Sequence, residues 1–457
     1  MDQTNFDQST ADGAFQQTAF VTASNNANQQ DADPNTFMPS RPESIDAAGL
    51  RLNDLFPLIL KYLFLHGNSS GNSISKQIKL PFDLTTPALE ALKADLLVVL
   101  KTSAGIGDYE YELTPKGVEQ ARIHLSRSTY CGAAPVSIAE YQDSVLRQSI
   151  RNLNPNFQDV ANALSDLEVT DLTVNQMGQA INSGKSMFLF GAPGNGKTSL
   201  AKRAINSISP ALWIPRSITV GGEVIRVFDP SVHDPMPMPQ AEGLTANEID
   251  DRWIRIHRPT IVVGGELEMK HLEATLNPVT GIIEAPIHVK SNCGCLVVDD
   301  FGRQQISTTE LLNRWIVPME SGVDYLNLPS GRQISLPFDQ FLVFSTNLEP
   351  TSLCDEAFLR RIPYKVEVFD PTEEQFRNLF QSELTSQGFE VEEGTVDQLI
   401  EYHYKRANRP FRFCHVGDLL AQCRDFCDFH GKNLLFNRDI VELAVLNYFA
   451  GMTPSQH

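Results

Sequence analysis

The sequence predicts an α/β protein in which a parallel β-sheet flanked by helices is preceded by a smaller α+β domain and followed by an all-α segment. Three patterns support this prediction. Short apolar runs alternate with helical periods between residues 151 and 370, as in parallel α/β sheets. Residues 371–452 show helical periods only. Residues 50–128 contain the patterns of three helices, a hairpin and a fourth helix.

Composition narrows the class of protein. The chain has 457 residues and a formal net charge of -19, which predicts two or three domains and disfavours general binding to nucleic acid backbones or anionic membranes. No apolar run reaches the length of a membrane-spanning helix, and the first residues lack the pattern of a secretory signal. The seven scattered cysteines fit reduced thiols better than a disulfide framework. We therefore expect a cytoplasmic protein with no membrane partner.

The first 49 residues differ in composition from the rest. They are rich in polar side chains, and Arg41 is their one basic residue. Such a segment buries too little apolar surface to offset the entropy of ordering it. We therefore predict a disordered tail at 1–49, and a linker with a short helix at 129–150.

Residues 50–128, between these segments, resemble a winged-helix domain, with Thr114 as the N-cap of the last helix. The resemblance implies DNA binding. The helix expected to face the groove, however, carries Glu90 and Asp95 against Lys93, whereas groove-reading helices present Arg, Lys, Asn or Gln. We favour a protein-interaction module, and nucleic acid remains the disfavoured alternative.

A glycine-rich loop joins a strand to a helix early in the α/β region. Ser186–Phe190 is a short apolar strand, and the residues after it fit the pattern G-x-x-x-x-G-K-[ST]. Glycines let successive N–H groups point at phosphate oxygens, the lysine supplies a point charge, and the hydroxyl is a Mg²⁺ ligand. A chance glycine-rich turn is the disfavoured alternative. The predicted ATP-binding residues are Gly191, Ala192, Pro193, Gly194, Asn195, Gly196, Lys197, Thr198 and Ser199.

Two later apolar strands end in polar residues. Cys295–Val298 leads into Asp299 and Asp300, and Phe341–Ser345 leads into a turn with Asn347. Ligands bind at the carboxyl ends of parallel strands. We predict Asp299 as a Mg²⁺ ligand, Asp300 as the catalytic base, and Asn347 as the residue that positions the attacking water. Acids and Asn at strand ends are also good turn formers, which is the alternative interpretation.

At these residues the chain resembles the AAA+ ATPases, a class of P-loop NTPases, over roughly residues 150–450. Gly191–Thr198 looks like Walker A, Val297–Asp300 like Walker B, and Asn347 like sensor 1. The segment Leu326–Leu336 ahead of sensor 1 is similar to a hairpin shared by MoxR-type chaperones, magnesium chelatase subunits and enhancer-binding activators. The resemblance implies an AAA+ nucleotide-binding domain at residues 151–370 and a helical lid at 371–452.

The resemblance also implies a residue that acts between subunits. Asp355–Ile362 is similar to the helix end that carries the arginine finger of the family, with Arg361 as the first candidate and Arg360 as the second. A finger reaches the γ-phosphate of a neighbouring subunit, which implies a homo-oligomeric ring, with a hexamer as the expected size. The alternative is a helix-terminal cation that counters the helix dipole.

The sequence departs from the family pattern in three places. Asp300 stands where Glu is usual, and its carboxylate is about one methylene shorter in reach, at a scale to which catalysis is sensitive. Gly417 falls on the expected sensor 2 Arg, for which Arg409 or Arg412 is the replacement. The stretch between Ser207 and Asn292 is long, and we expect loops there that bind a partner or substrate.

These expectations combine into one predicted function. The chain is expected to bind ATP with Mg²⁺ and to hydrolyse it, and so to drive conformational remodelling of an unidentified protein partner. Two alternatives stay open: a DNA-binding AAA+ transcriptional regulator, and a nucleotide-gated scaffold with little hydrolysis.

Overall fold

The computed structural model describes residues 37–205, 211–238 and 248–450. Of the tail predicted for residues 1–49, residues 1–36 therefore lie outside the described residues. Within the described ranges, no helix has both the length and the apolar character needed to cross a membrane.

The N-terminal unit, all of whose residues from 50 to 128 are described, packs four helices around a small antiparallel sheet with strand order β1-β3-β2. Its core includes Leu55, Ile59 and Leu89, all fully buried. As predicted, the Thr114 side chain caps the last helix, since its hydroxyl accepts from the Gly117 N–H at 3.0 Å. The elements are α1 (Leu52–His66), β1 (Ser69–Ser70), α2 (Gly71–Ile78), α3 (Phe82–Ala94), β2 (Val98–Gly105), β3 (Asp108–Leu113) and α4 (Pro115–Arg127).

The connector after this unit is folded into the structure. It forms β4 (Val136–Ser137) and α5 (Ile138–Arg147), where Ser137 and Glu140 form a capping box that fixes the start of the helix. A 3₁₀ turn at Ile150–Asn152 and two helices follow, α6 (Phe157–Ala163) and α7 (Asp171–Ser183).

The α/β region supplies most of the strands. Its first part contains β5 (Met187–Phe190), α8 (Lys197–Ile205), β6 (Ala211–Pro215), β7 (Ser217–Val220), β8 (Glu223–Arg226), β9 (Trp253–His257), β10 (Thr260–Val263), β11 (Thr275–Leu276), β12 (Ile283–Glu284) and α9 (Ile287–Lys290). Its second part contains β13 (Cys295–Val298), α10 (Thr308–Ser321), β14 (Val323–Asn327), β15 (Gln333–Pro337), β16 (Phe341–Thr346), α11 (Pro350–Leu353), α12 (Glu356–Arg361) and β17 (Tyr364–Glu367).

The central sheet of the described residues has five parallel strands in the order β10-β13-β16-β5-β17. Helices cover it, and its inner strands are almost continuously apolar, as expected for strands buried on both faces, apart from Ser345 and Thr346 at the end of β16. Every residue of β13 and β16 is buried, for example. The predicted fold class, a parallel P-loop sheet flanked by helices, is confirmed.

A second sheet occupies the stretch where partner loops were expected. Its strands lie in the order β11-β12-β8-β7-β4, and β6 pairs with β9 beside it. Ile218 and Ile225 of this sheet share a buried core with Tyr141 of α5 and with Leu326 and Leu336 of the β14–β15 hairpin. Where it is described, the stretch therefore combines strands, about a third of its residues, with turns and loops that connect them. Residues 207–210 and 239–247 of it lie outside the described ranges.

The C-terminal segment is helical, as predicted, apart from one short strand pair. Aromatic rings dominate its core, with Phe376 and Phe380 fully buried, and Cys423 and Cys427 pack there as free thiols. The elements are α13 (Glu373–Ser386), β18 (Glu390–Val391), α14 (Thr395–Gln398), a π-helix at Leu399–Lys405, α15 (Phe413–Phe429), β19 (Leu435–Phe436) and α16 (Arg438–Tyr448).

Residues 37–49, which we assigned to the tail, instead pack against both the α/β region and the core of the N-terminal unit. The Phe37 and Trp253 rings lie 5.3 Å apart, and Ala48 is fully buried. The Arg252 guanidinium, 1% exposed, pairs with Asp250 at 2.7 Å and donates to the Ala48 carbonyl at 2.8 Å. The same guanidinium nitrogen donates to the Pro135 carbonyl at 3.3 Å. A buried cation thus ties the end of the supposed tail and the connector to the α/β region.

We expect Arg252→Met to lower the free energy of unfolding by about 3–5 kcal/mol, because it leaves the Asp250 carboxylate buried without its partner. The control is Arg147→Met, which removes an exposed ion pair with Asp143 and should cost less than about 1 kcal/mol. Urea unfolding followed by tryptophan fluorescence measures both. Equal effects of the two substitutions would contradict this account of residues 37–49.

Candidate nucleotide-binding site

The glycine-rich loop runs from the end of β5 to the start of α8. Gly191, Gly194 and Gly196 have φ angles of 141°, 82° and 74°, a region that side chains strongly disfavour. A Cβ at Gly191 would lie 2.3 Å from the Val368 carbonyl oxygen, and one at Gly194 would lie 2.4 Å from the Cys414 sulfur. Backbone shape and close packing therefore both require glycine in this loop.

Lys197, the first residue of α8, is folded back into the loop and is 7% exposed. Its Nζ donates to the carbonyl oxygens of Gly191 and Ala192, both at 3.0 Å, and to Asn347 Oδ1 at 2.6 Å. Burial lowers the pKa of this lysine, while Asp299 and Asp300 oppose that effect. The ammonium is surrounded by oxygen atoms, which phosphate oxygens are chemically suited to replace.

Thr198 and Asp299 meet beside this lysine. The Thr198 hydroxyl donates to Asp299 Oδ2 at 2.7 Å, although the two residues are about a hundred positions apart in the chain. A hydroxyl and a carboxylate are hard oxygen ligands of the kind that Mg²⁺ takes together with water and substrate phosphates. The residues present therefore fit a Mg²⁺ ion.

Asn347 links the lysine to the second acid. Its Oδ1 accepts from Lys197, and its Nδ2 donates to Asp300 Oδ1 at 3.1 Å. Asp300 is exposed and Asp299 is partly exposed, so both carboxylates border the open side of the loop. The structure thus brings Lys197, Thr198, Asp299, Asp300 and Asn347 into one hydrogen-bonded group.

The remaining predicted loop residues take other positions. Pro193 lies exposed at the loop tip, and Ser199 is half-buried in the first turn of α8. Asn195 is buried, and its Nδ2 donates to Asp370 Oδ1 at 2.7 Å. Asn195 therefore fastens the loop to the segment that leads into the C-terminal helices.

The C-terminal helices contact the loop directly. The Cys414 N–H donates to the Gly194 carbonyl at 2.9 Å, and Arg412 forms an ion pair with Asp370. Arg409 lies elsewhere, with its guanidinium 3.5 Å from the Phe449 ring centre. Gly417 is exposed, and apart from its chain neighbours and the backbone of its own helix, no described atom lies within 4 Å of a Cβ built there. Of the proposed sensor 2 positions, Arg412 is the one that contacts residues at the loop.

A cavity of about 140 Å³ opens between the loop and the C-terminal helices. Its walls come from the segment before α7, the loop and α8, the end of β17, and the C-terminal helices. Asn195 and Gly196 of the walls were predicted, whereas the other lining residues were missed because they lie in separate parts of the chain and no spacing pattern connects them. The apolar residues among them are Leu167, Val169, Leu200, Val368, Phe369, Leu379 and Phe413. An apolar slot next to a phosphate loop suits a nucleobase.

The two arginines of α12 differ in their surroundings. Arg361 forms an ion pair with Glu320 at 2.7 Å and donates to the Ala357 carbonyl at 2.8 Å. Arg360 is exposed and pairs with no carboxylate of the described residues. Neither contacts the group around Lys197 within the same chain, so any role for them there would be in a neighbouring copy.

Comparisons with known proteins cover parts of the chain. Residues 372–447 match the family DUF8689, described as a domain of unknown function. No curated protein matches the sequence. Solved structures similar to this chain include the RuvB Holliday junction branch migration motor of Thermotoga maritima, with 13% identity and a TM-score of 0.35 over 64% of this chain and 74% of that one.

Two further solved structures are similar to a comparable degree. NtrX of Brucella abortus is 13% identical with a TM-score of 0.40, over 63% of this chain and 58% of that one. A complex of the magnesium chelatase subunits BchI and BchD is 17% identical with a TM-score of 0.31, over 61% of this chain and 92% of that one.

Proposed function

We propose that this chain binds ATP with Mg²⁺ at the group around Lys197 and hydrolyses it, as an ATPase of the AAA+ type. The observation that carries the proposal is the contact between Thr198 and Asp299 at 2.7 Å, next to a lysine enclosed by a glycine loop. A hydroxyl, a carboxylate and an ammonium converging on a backbone nest are what a metal-bound polyphosphate requires.

The proposed roles follow from these contacts. The loop N–H groups and the Lys197 ammonium hold the phosphates, and the cavity lined by Leu167 and Phe413 receives the base. Thr198 and Asp299 hold Mg²⁺, which when bound supplies positive charge that stabilises the phosphate oxygens. Asn347 orients the attacking water, and Asp300 accepts its proton.

Asp300→Asn should retain ATP binding but lower turnover by at least about a hundredfold, because an amide does not accept the proton of the water. Binding of ATP is measured by calorimetry and phosphate release by a coupled assay. Turnover at the wild-type rate in Asp300→Asn would remove the proposed catalytic role. Wild-type protein that binds ATP without releasing phosphate would instead favour the alternative of a nucleotide-gated scaffold.

We further propose that the chain acts as a homo-oligomeric ring, with a hexamer as the expected size. The exposed position of Arg360 supports its assignment as the arginine finger in preference to Arg361, whose guanidinium is already paired with Glu320. A finger needs a free guanidinium that can reach the γ-phosphate held by the next subunit. Arg361 is instead suited to hold α12 against α10.

Mixing Arg360→Ala subunits with Lys197→Ala subunits should restore part of the ATPase activity that each variant lacks alone. In a mixed ring, an intact finger then faces an intact loop at some interfaces. The same experiment with Arg361→Ala subunits in place of Arg360→Ala subunits is the control that tests which of the two arginines acts as the finger. Confirmed mixed rings without recovery for Arg360→Ala would contradict its action between subunits.

The N-terminal unit is proposed as a winged-helix-like module that binds a protein partner, which the ATPase remodels. The order of its elements supports the winged-helix assignment. The exposed face of α3 carries Asp83, Glu90 and Lys93, and this mostly acidic face favours a protein over a DNA groove. The hairpin tip also exposes Ile106 fully, which a protein surface can cover.

The competing proposal, a DNA-binding regulator, differs in a measurable property. Fluorescence anisotropy with duplex DNA at about 50 mM salt should show no binding by the wild-type protein, because α3 lacks the cations needed to displace counterions. Binding that weakens steeply as salt rises would favour the regulator.

A further inference from the structure

Asp300 has an unusual backbone conformation. Its φ angle is 48°, in the left-handed region that residues other than glycine adopt rarely. Such a conformation persists where surrounding contacts hold it, and it is enriched at functional sites. Strand β16 holds this stretch from outside, since the Phe301 N–H donates to the Ser345 carbonyl at 2.8 Å, and further contacts lie within the turn that follows β13.

The side chain of Gln304 supplies three of these contacts. Its Nε2 donates to the Asp299 carbonyl at 2.8 Å and to the Asp300 carbonyl at 3.2 Å. Its Oε1 accepts from the Gly302 N–H at 2.8 Å. One amide thus spans the turn from residue 299 to residue 304 and binds both peptide carbonyls of the acid pair. The Asp300 carbonyl also accepts from the Arg303 N–H at 3.0 Å.

The next residue is also a glutamine and makes no such contacts. The Gln305 backbone N–H donates to the Gly265 carbonyl at 3.1 Å, but its side chain is exposed. Within the described residues, the Gln305 amide forms no hydrogen bond with the turn. Two identical neighbouring side chains therefore differ in whether they hold the acid pair.

The backbone of this turn decides where the Asp300 carboxylate lies. Aspartate has two side-chain torsions, so its oxygens remain close to the main chain and follow its position. Asp300 Oδ1 lies 3.1 Å from Asn347 Nδ2, and the Oδ1 of the same asparagine is bound by Lys197. A rotation of the turn would carry the carboxylate away from Asn347 while leaving Lys197 and Thr198 in place.

We propose that Gln304 is a positioning residue for hydrolysis: it holds the turn so that the Asp300 carboxylate faces the water oriented by Asn347. This inference rests on the proposed ATPase function and specifies how its base is placed. Gln304 contacts neither the glycine loop nor Thr198. Asp299, which Gln304 also contacts, keeps two other anchors: its N–H donates to the Val263 carbonyl at 2.8 Å, and its carboxylate accepts from the Thr198 hydroxyl at 2.7 Å. Removal of the Gln304 amide is therefore expected to act on the chemical step and to leave nucleotide binding intact.

Gln304→Leu, a substitution of similar size without an amide, tests the proposal, and Gln305→Leu is the matched control. We expect kcat for ATP to fall at least about tenfold in Gln304→Leu, since catalysis is sensitive to small misplacements of the base. KM and the Kd for a non-hydrolysable ATP analogue with Mg²⁺ should stay within about twofold of wild type, as for removal of an interaction made only in the transition state. Gln305→Leu should match wild type in all three constants.

Each other outcome overturns the inference in a recognisable way. An unchanged kcat in Gln304→Leu shows that the turn needs no amide. A parallel loss of analogue binding and kcat shows that Gln304 supports the folded site as a whole and does not place the base. Absence of turnover in the wild-type protein removes the proposed hydrolysis itself, and this is seen before any variant is made.

Discussion

The site depends on one constraint, the parallel arrangement of β13, β16 and β5 side by side. Strands that run in the same direction end at the same edge of the sheet, so the residues that follow them are brought together. Because β16 lies between the other two strands, Asn347 at its end lies between the glycine loop and the acid pair. Its amide accepts a hydrogen bond from Lys197 on one side and donates one to Asp300 on the other.

The C-terminal helices are coupled to this edge through the backbone of the loop. The bond from the Cys414 N–H to the Gly194 carbonyl and the contacts of Asp370 with Asn195 and Arg412 join the two parts. A phosphate group that changes the conformation of the loop would therefore change the position of α15 relative to the sheet. This is the kind of local contact through which a bound nucleotide biases the position of a packed helical element.

The sequence predicted the candidate site where its residues follow one another in a short stretch of the chain. The glycine pattern, the acid pair after an apolar strand and the strand-end Asn347 each predicted a position that the structure brings into one group. The fold class followed from the same alternation of strands and helices. These features depend on local backbone geometry, which a short stretch of sequence specifies.

What the sequence did not predict depends on contacts between distant segments. Ala48 is buried in the core of the N-terminal unit, and its carbonyl accepts from Arg252, some two hundred residues away. The pairing of Arg361 with Glu320 depends on how α12 packs against α10. The hydrogen bonds of the Gln304 amide depend on the conformation of the turn at residues 299–304. The apolar cavity beside the loop takes its walls from four separate stretches, which no periodicity relates.

The most direct test of the central claim compares two lysines of the same helix, Lys197 in the loop and the exposed Lys202. The affinity of each alanine variant for ATP with Mg²⁺ is measured by calorimetry. Loss of the enclosed charge in Lys197→Ala should weaken binding by about 3 kcal/mol, on the order of a hundredfold, whereas Lys202→Ala should bind as wild type does. Wild-type affinity in Lys197→Ala would contradict the claim that this group cradles the phosphates.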